Sequence, residues 1–215
     1  MTLTPADAPG TRLTPADLRL AADLAVAALR PARDADWSVP AGGLEWDCWE
    51  TAEHLIDDLF SYAAKLAAER TGSNVPYRRT TGSPGGPDNA VHVERAAGPE
   101  GMLAAFEAAA AIMHAVVSVK PPEARAYHVY GDSDPEGFIA MSVVEILVHT
   151  HDLTTGLGLA AWEPPADLCA RALYRLFPHV PGGADPWPTL LWATGRGDLA
   201  GRERLAEWRW YGAPR

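Results

Sequence analysis

The sequence predicts an all-α bundle, and three observations carry that expectation. Four long stretches repeat apolar residues at helical spacing. Prolines and glycines stand where those stretches stop. A connection poor in apolar residues, 71–98, is where the crossover of a four-helix bundle with one long connection would lie.

Taken in order, residues 1–12 carry two prolines and a glycine and read as a flexible lead-in. Thr14 and Pro15 open the first helix, with Leu18, Ala21, Ala22, Ala25 and Leu29 on one side, and Pro31 closes it. The connection 33–43 holds Trp37, expected to cover the bundle end. The second helix, 46–69, places Trp46, Trp49, Leu55, Leu59, Tyr62, Ala63 and Leu66 at helical spacing, with Asp47 or Thr51 as its cap. The crossover 71–98 carries Pro76, Pro84, Pro87 and two adjacent glycines, and connections of this kind are usually functional or mobile. It is expected to shape the entrance to a site. The third helix, 100–119, is rich in alanine and stops at Pro121 and Pro122. Asp134 caps the fourth, 135–157, with Pro135 at its first position and Gly156 and Gly158 as stops.

A fifth helix is expected over 166–177, with Leu168, Ala172, Leu173 and Leu176 apolar. Residues 186–215 then hold four of the eight tryptophans and five arginines. Residues 187–194 read as one or two helical turns, and Trp208-Arg209-Trp210 alternates like a strand. A segment this short makes no core of its own, so residues 161–215 are expected to pack back on the bundle of residues 13–160. The exposed side of the first or fifth helix is the surface expected to receive residues 187–215.

The balance of 28 acidic against 18 basic residues, a net charge of −10, and the lack of a Lys/Arg run argue against a nucleic-acid partner. Cys48 and Cys169 make no disulfide framework, and no basic-then-apolar leader opens the chain, so a reducing cytoplasm is expected. The most apolar run, 102–119, is broken by Glu107 and His114, and no membrane span is expected. The partner expected is a small molecule, with the chain a monomer or homodimer.

On the fourth helix Glu145 and His149 stand four residues apart on one face, with Asp152 three further. Their stripe is otherwise apolar, flanked by Phe138, Met141 and Val148. Burying an unpaired charge is costly, and a bound cation is one reason to do it; a hydrogen-bonded core pair is another. His54, at the edge of the second helix's apolar stripe, completes a set of two imidazoles and one carboxylate. Such a set leaves coordination positions open, as catalytic zinc sites do.

Other residues carry two readings each. His151 points away from His149, as a solvent or interhelical hydrogen-bonding residue or, if the helix frays near Gly156, a replacement for His149 as ligand. His114 is a core histidine or a site residue. Asp57 and Asp58 read as surface charges, with Asp58 a candidate fourth ligand or substrate contact. Arg78 and Arg79 are a solvated pair or an anion clamp for a carboxylated substrate or thiol. Cys48 packs as a small apolar residue.

Trp46, Thr51-x-x-His54-Leu55-x-Asp57 and, far downstream, Glu145-x-x-x-His149-x-x-Asp152 resemble the DinB-like superfamily, and within it the N-terminal domain of mycothiol-dependent maleylpyruvate isomerases. The resemblance covers residues 13–159. It implies an antiparallel four-helix bundle holding a divalent metal on His54, Glu145 and His149, with Asp152 behind them. Zinc is the first expectation, then nickel, iron or manganese. It implies a low-molecular-weight thiol such as mycothiol as co-substrate, in S-transfer or isomerisation of a small electrophile. A metal-dependent hydrolase and a non-catalytic metal- or ligand-binding bundle are the competing readings. The tail takes the place of the larger C-terminal domain of maleylpyruvate isomerases, which leaves maleylpyruvate itself unsupported as substrate.

Overall fold

Polar caps start the helices where the sequence places them. Asp17 accepts from both the backbone nitrogen and the hydroxyl of Thr14, at 2.8 Å each. Asp47 and Glu50 cap each other's backbone at 2.7 and 3.2 Å. Asp134 accepts from Gly137 N at 2.7 Å. In the computed structural model, which describes residues 12–180 and 183–215, these caps open α1 (Pro15–Leu29), α2 (Cys48–Ala68) and α4 (Pro135–Gly156). Between them α3 runs Gly98–Val119, and α5 (Ala166–Leu176) and α6 (Pro186–Ala193) follow. The expected lead-in over 1–12 lies, but for Arg12, outside the described residues.

Contacts at the helix ends give the directions. Arg95 meets Asp47 at 3.7 Å and Lys120 meets Glu69 at 2.5 Å, so α2 and α3 start and finish together and are parallel. Leu13 N donates to Glu136 at 3.3 Å, which sets the starts of α1 and α4 side by side. Tyr62 against Phe138 (5.8 Å) and His54 against His149 (5.5 Å) run α2 antiparallel to α4. Each of α1 and α2 packs on both α3 and α4, so α1 and α2 occupy one diagonal of an all-α, DinB-like four-helix bundle. Because neighbours α2 and α3 are parallel, the chain must return along about 30 Å of helix, and residues 71–97 make that return. Helix α4 is buried almost all round, which explains a sequence apolar on every side. By length and composition alone α3 could cross a membrane. Here its Met102, Phe106, Met113 and Val117 are buried in the bundle.

The crossover is tied down, in contrast to the mobile connection its composition suggests. Glu50, Glu53 and Asp57 stand on one face of α2 and receive it. Ser83 donates to Glu50. Val93 N donates to Glu53 at 2.9 Å. Asp57 accepts from Ala90 N and Val91 N at 2.8 and 3.0 Å and pairs with Arg79 at 2.6 Å. A small antiparallel hairpin, β1 (Thr80–Thr81) with β2 (Asp88–Asn89), closes the turn. Asp57 is therefore no surface charge: it is 0 % exposed. Backbone N–H groups of an irregular segment need acceptors when covered, and these carboxylates provide them.

Trp37 is buried at the bundle end, its indole N–H donating to Ala32 O at 3.0 Å. Gly156 lets the chain around Pro40 pass close by, since a Cβ there would meet Pro40 O at 2.3 Å. Downstream, α5 lies on α4 and α6 on α5. It is α5 that reaches α1, through Arg171 and Asp17 at 2.7 Å. Trp187, Trp192 and Trp210 are buried. The alternation at Trp208-Arg209-Trp210 makes no strand: among the described residues no strand edge lies beside it, and its rings pack on Phe177 (6.5 Å) and His128 (5.8 Å).

Asp57→Ala would leave two backbone amides and Arg79 without their acceptor. We expect a loss of about 2–4 kcal/mol in stability, read from the denaturant midpoint, with faster amide exchange at Ala90 and Val91. A midpoint shift below about 0.5 kcal/mol would mean that the crossover is held by something else.

Candidate metal centre

Antiparallel pairing of α2 with α4 sets the second turn of α2 against the middle turns of α4. That arrangement brings His54, Glu145 and His149 together, with one donor atom from each lying within 4.8 Å of the other two. Glu145 and His149 are 7 % and 4 % exposed. Glu145 Oε2 lies 3.1 Å from His149 Nε2, and the His54 and His149 rings meet edge to face at 87°.

Both imidazoles are held from behind. Asp152 Oδ2 lies 3.0 Å from His149 Nδ1, which leaves Nε2 directed at Glu145. Asp152 is in turn held by Arg196 Nε, 3.1 and 3.0 Å from its two oxygens. Asp58 Oδ2 lies 3.3 Å from His54 Nε2. The buried Tyr62 phenol is raised well above its ordinary pKa, by burial first and then by the charges of Asp58 and Glu145. Trp46 stands edge-on to His54, 5.0 Å between centroids, and donates to Gly85 O at 3.1 Å. The tip of the crossover thus reaches the same end of the bundle.

The electrostatics follow from burial and partners. Burial disfavours a charged His149, but Asp152 and Glu145 outweigh it and raise its pKa to about 9. Burial lifts Glu145 and Asp152 as well, yet His149 and Arg196 beside them leave both below their usual range. Asp58 is pushed up to about 6, by burial first and then, against the pull of His54, by the charge of Glu145. The cluster is one of carboxylates short of positive charge. His54 Nδ1 is also buried without a hydrogen-bond partner among the described residues. Two imidazoles, a carboxylate and an orphaned ring nitrogen fit a divalent cation.

The other residues singled out in the sequence fall elsewhere. His114 is half-buried on α3, diagonal to α4. Arg78 is exposed, and Arg79 is engaged by Asp57. His151 faces the Trp187 ring at 5.7 Å. The Cys48 thiol is buried and pushed up to about 12, by burial and then by Asp47 and Asp152, so it is no nucleophile near neutral pH. Two contributors escape the sequence reading. Tyr62 counts there as a core residue of the apolar stripe, and Arg196 sits in the tail with nothing to mark it.

We expect one divalent ion per chain in protein purified without an affinity tag, measured by elemental analysis. His54→Ala and His149→Ala should each lose it and lower the melting temperature of the metal-loaded protein. Full stoichiometry in both variants would remove the assignment.

A family model, the mycothiol maleylpyruvate isomerase N-terminal domain, matches residues 18–154. That span contains the three donors and Asp152 and excludes α5, α6 and Arg196. No curated protein and no solved structure matches the chain. The match takes in well over half of the sequence, and the chain belongs to the mycothiol maleylpyruvate isomerase N-terminal domain family, a DinB-like family.

Proposed function

We propose that the chain is a metal-dependent enzyme using a low-molecular-weight thiol of the mycothiol class, as an S-transferase or isomerase of a small electrophile. The observation that carries the reading is the convergence of His54, Glu145 and His149 within 4.8 Å in a member of a mycothiol family. The cation would be held by these three, with zinc the first choice and nickel, iron or manganese compatible with the donors. When bound it supplies Lewis acidity, which favours the thiolate form of a nearby thiol at neutral pH.

The protein's own groups do the rest. Asp152 fixes the His149 ring through Nδ1, Arg196 fixes Asp152, and Asp58 orients His54. Trp46 walls the His54 side. A thiolate sulfur held here adds to an activated carbon of the substrate. In isomerisation the new C–S bond lifts the double bond, rotation follows, and the thiolate leaves unchanged. In transfer the C–S bond persists and the product takes up the proton that the thiol released. A cytoplasmic setting suits this chemistry, and the free, buried Cys48 and Cys169 fit a reducing compartment. The residues after 154 lie outside the matched span, and maleylpyruvate itself is not proposed as the substrate.

The test is a screen of metal-loaded full-length protein with mycothiol against a panel of electrophiles, following free thiol and substrate together. Metal-dependent loss of thiol, or substrate isomerisation that requires thiol without consuming it, is the expected result. Substrate loss indifferent to thiol would replace the reading with a hydrolase. Stoichiometric metal with no turnover across the panel would leave a metal-binding bundle.

A further inference from the structure

A second feature, further along α2 than His54 and Asp58, is not used by the proposed chemistry. A cleft of about 250 Å³ opens between α2 and the start of the crossover, lined by Ser61, Lys65, Asn74, Val75, Tyr77 and Arg79. Lys65 is half-buried in it and makes no ion pair among the described residues; its ammonium sits over the Tyr62 ring, 5.6 Å from the centroid. An ammonium taken partly out of water is unfavourable; burial draws its pKa down, and Asp58 and Asp57, which do not line the cleft, offset this only in part.

The neighbouring charges are already committed. Arg79 bonds Asp57 Oδ2 at 2.6 Å, and Asp57 Oδ1 takes the amides of Ala90 and Val91. Arg79 also meets Asp88 at 3.8 Å, and the residues that line the cleft include two cations, Lys65 and Arg79, with no carboxylate among them. Neutral donors line the cleft as well: the Asn74 amide, the Tyr77 hydroxyl and Ser61, whose bond to Asp57 is long at 3.5 Å and free to turn.

We propose that this cleft binds the anionic group of a small ligand, a carboxylate or a phosphate, with Lys65 as its charge partner and Ser61 and Asn74 as donors. The volume decides between a whole ligand and one end of it. Ligand pockets typically hold about 300–1,000 Å³, so this cleft takes an anionic group and a short stem. Lys65 follows Asp58 by two helical turns, about 10 Å along α2 and on the same face. A ligand anchored here can extend toward the metal cluster. The inference stands on the cleft and not on the thiol chemistry, so the two fail separately.

The test uses the full chain, metal-loaded and again after chelator treatment, titrated separately with glutarate and with inorganic phosphate. Binding is followed by calorimetry and by the amide shifts of Ser61 to Arg79. Saturable binding of one or both anions is expected, weakening as salt is raised and equal in the two metal states; the anion that binds tighter names the source. Lys65→Met should weaken it by about tenfold or more, Lys65→Arg should retain most of it, and Asn74→Ala, an exposed position, should weaken it with the melting temperature unchanged. The proposal is overturned if neither anion shifts these amides or if Lys65→Met and Asn74→Ala bind as the parent does. Binding that requires the metal overturns it as well, since the anion would then sit on the ion.

Discussion

Six side chains of alternating charge character cross one end of an otherwise apolar bundle: Asp58, His54, Glu145, His149, Asp152 and Arg196. Adjacent members that touch do so at 3.0 to 3.3 Å. No member is tolerable there alone, because a buried charge without a partner destabilises by several kcal/mol. The ladder therefore fixes more than a site. It sets the register of α2 against α4, since a slip of one turn would strand His54 and Asp58 away from Glu145. It also fixes where the chain after α6 must lie, because Asp152 needs Arg196.

Helix α2 serves two structures with two faces. One carries His54, Asp58 and Tyr62 toward α4. The other carries Glu50, Glu53 and Asp57 toward the crossover, where they accept from backbone amides, a serine hydroxyl and Arg79. The spacings of four on one face and three and four on the other keep the sets apart around one helix. The net charge of −10 thus overstates how acidic the surface is, because several of α2's carboxylates point inward and are spent on structure. The parallel placement of α2 and α3 requires a long return, and the return requires acceptors.

The elements that sequence made legible are those whose determinants are local. Thr14, Asp47 and Asp134 begin helices because a short polar side chain caps the first turn and Pro15 and Pro135 suit it. Glu145 and His149 declare themselves by four-residue spacing in an apolar stripe, and the ordered half-motifs of the family add His54. What stayed hidden depends on long-range partners. Asp57 looked like a surface charge because its acceptors' partners are backbone amides some 33 residues on, in a segment with no periodicity. The tryptophan pair at 208 and 210 mimicked a strand because alternation reports only which rings share a side, and here those rings pack on helix α5 and His128. Tyr62 was hidden by its own apolar ring, which belongs in the core even though the charges of Asp58 and Glu145 act on its phenol.

Arg196 has the least local determinant of all, 44 residues from Asp152 and outside the matched span. Its placement nevertheless has a physical account. Helix α6 ends at Ala193, and Gly195, at φ 72, turns the chain in a way that side-chain-bearing residues resist. Trp208 packs over that glycine, 3.2 Å from where a Cβ would stand. The turn aims the next residue, Arg196, inward at Asp152. Without it Asp152 would keep His149 as its only close partner, and burial would pull its proton affinity upward. Its hold on Nδ1 of His149 would then weaken, and with it the orientation of Nε2 toward Glu145. The tryptophans of the extension are therefore not only a cover for α5. Trp208 helps position an arginine on which a histidine of the family's ordered motif depends, so in this chain the candidate metal site and the segment beyond the family domain form one physical unit.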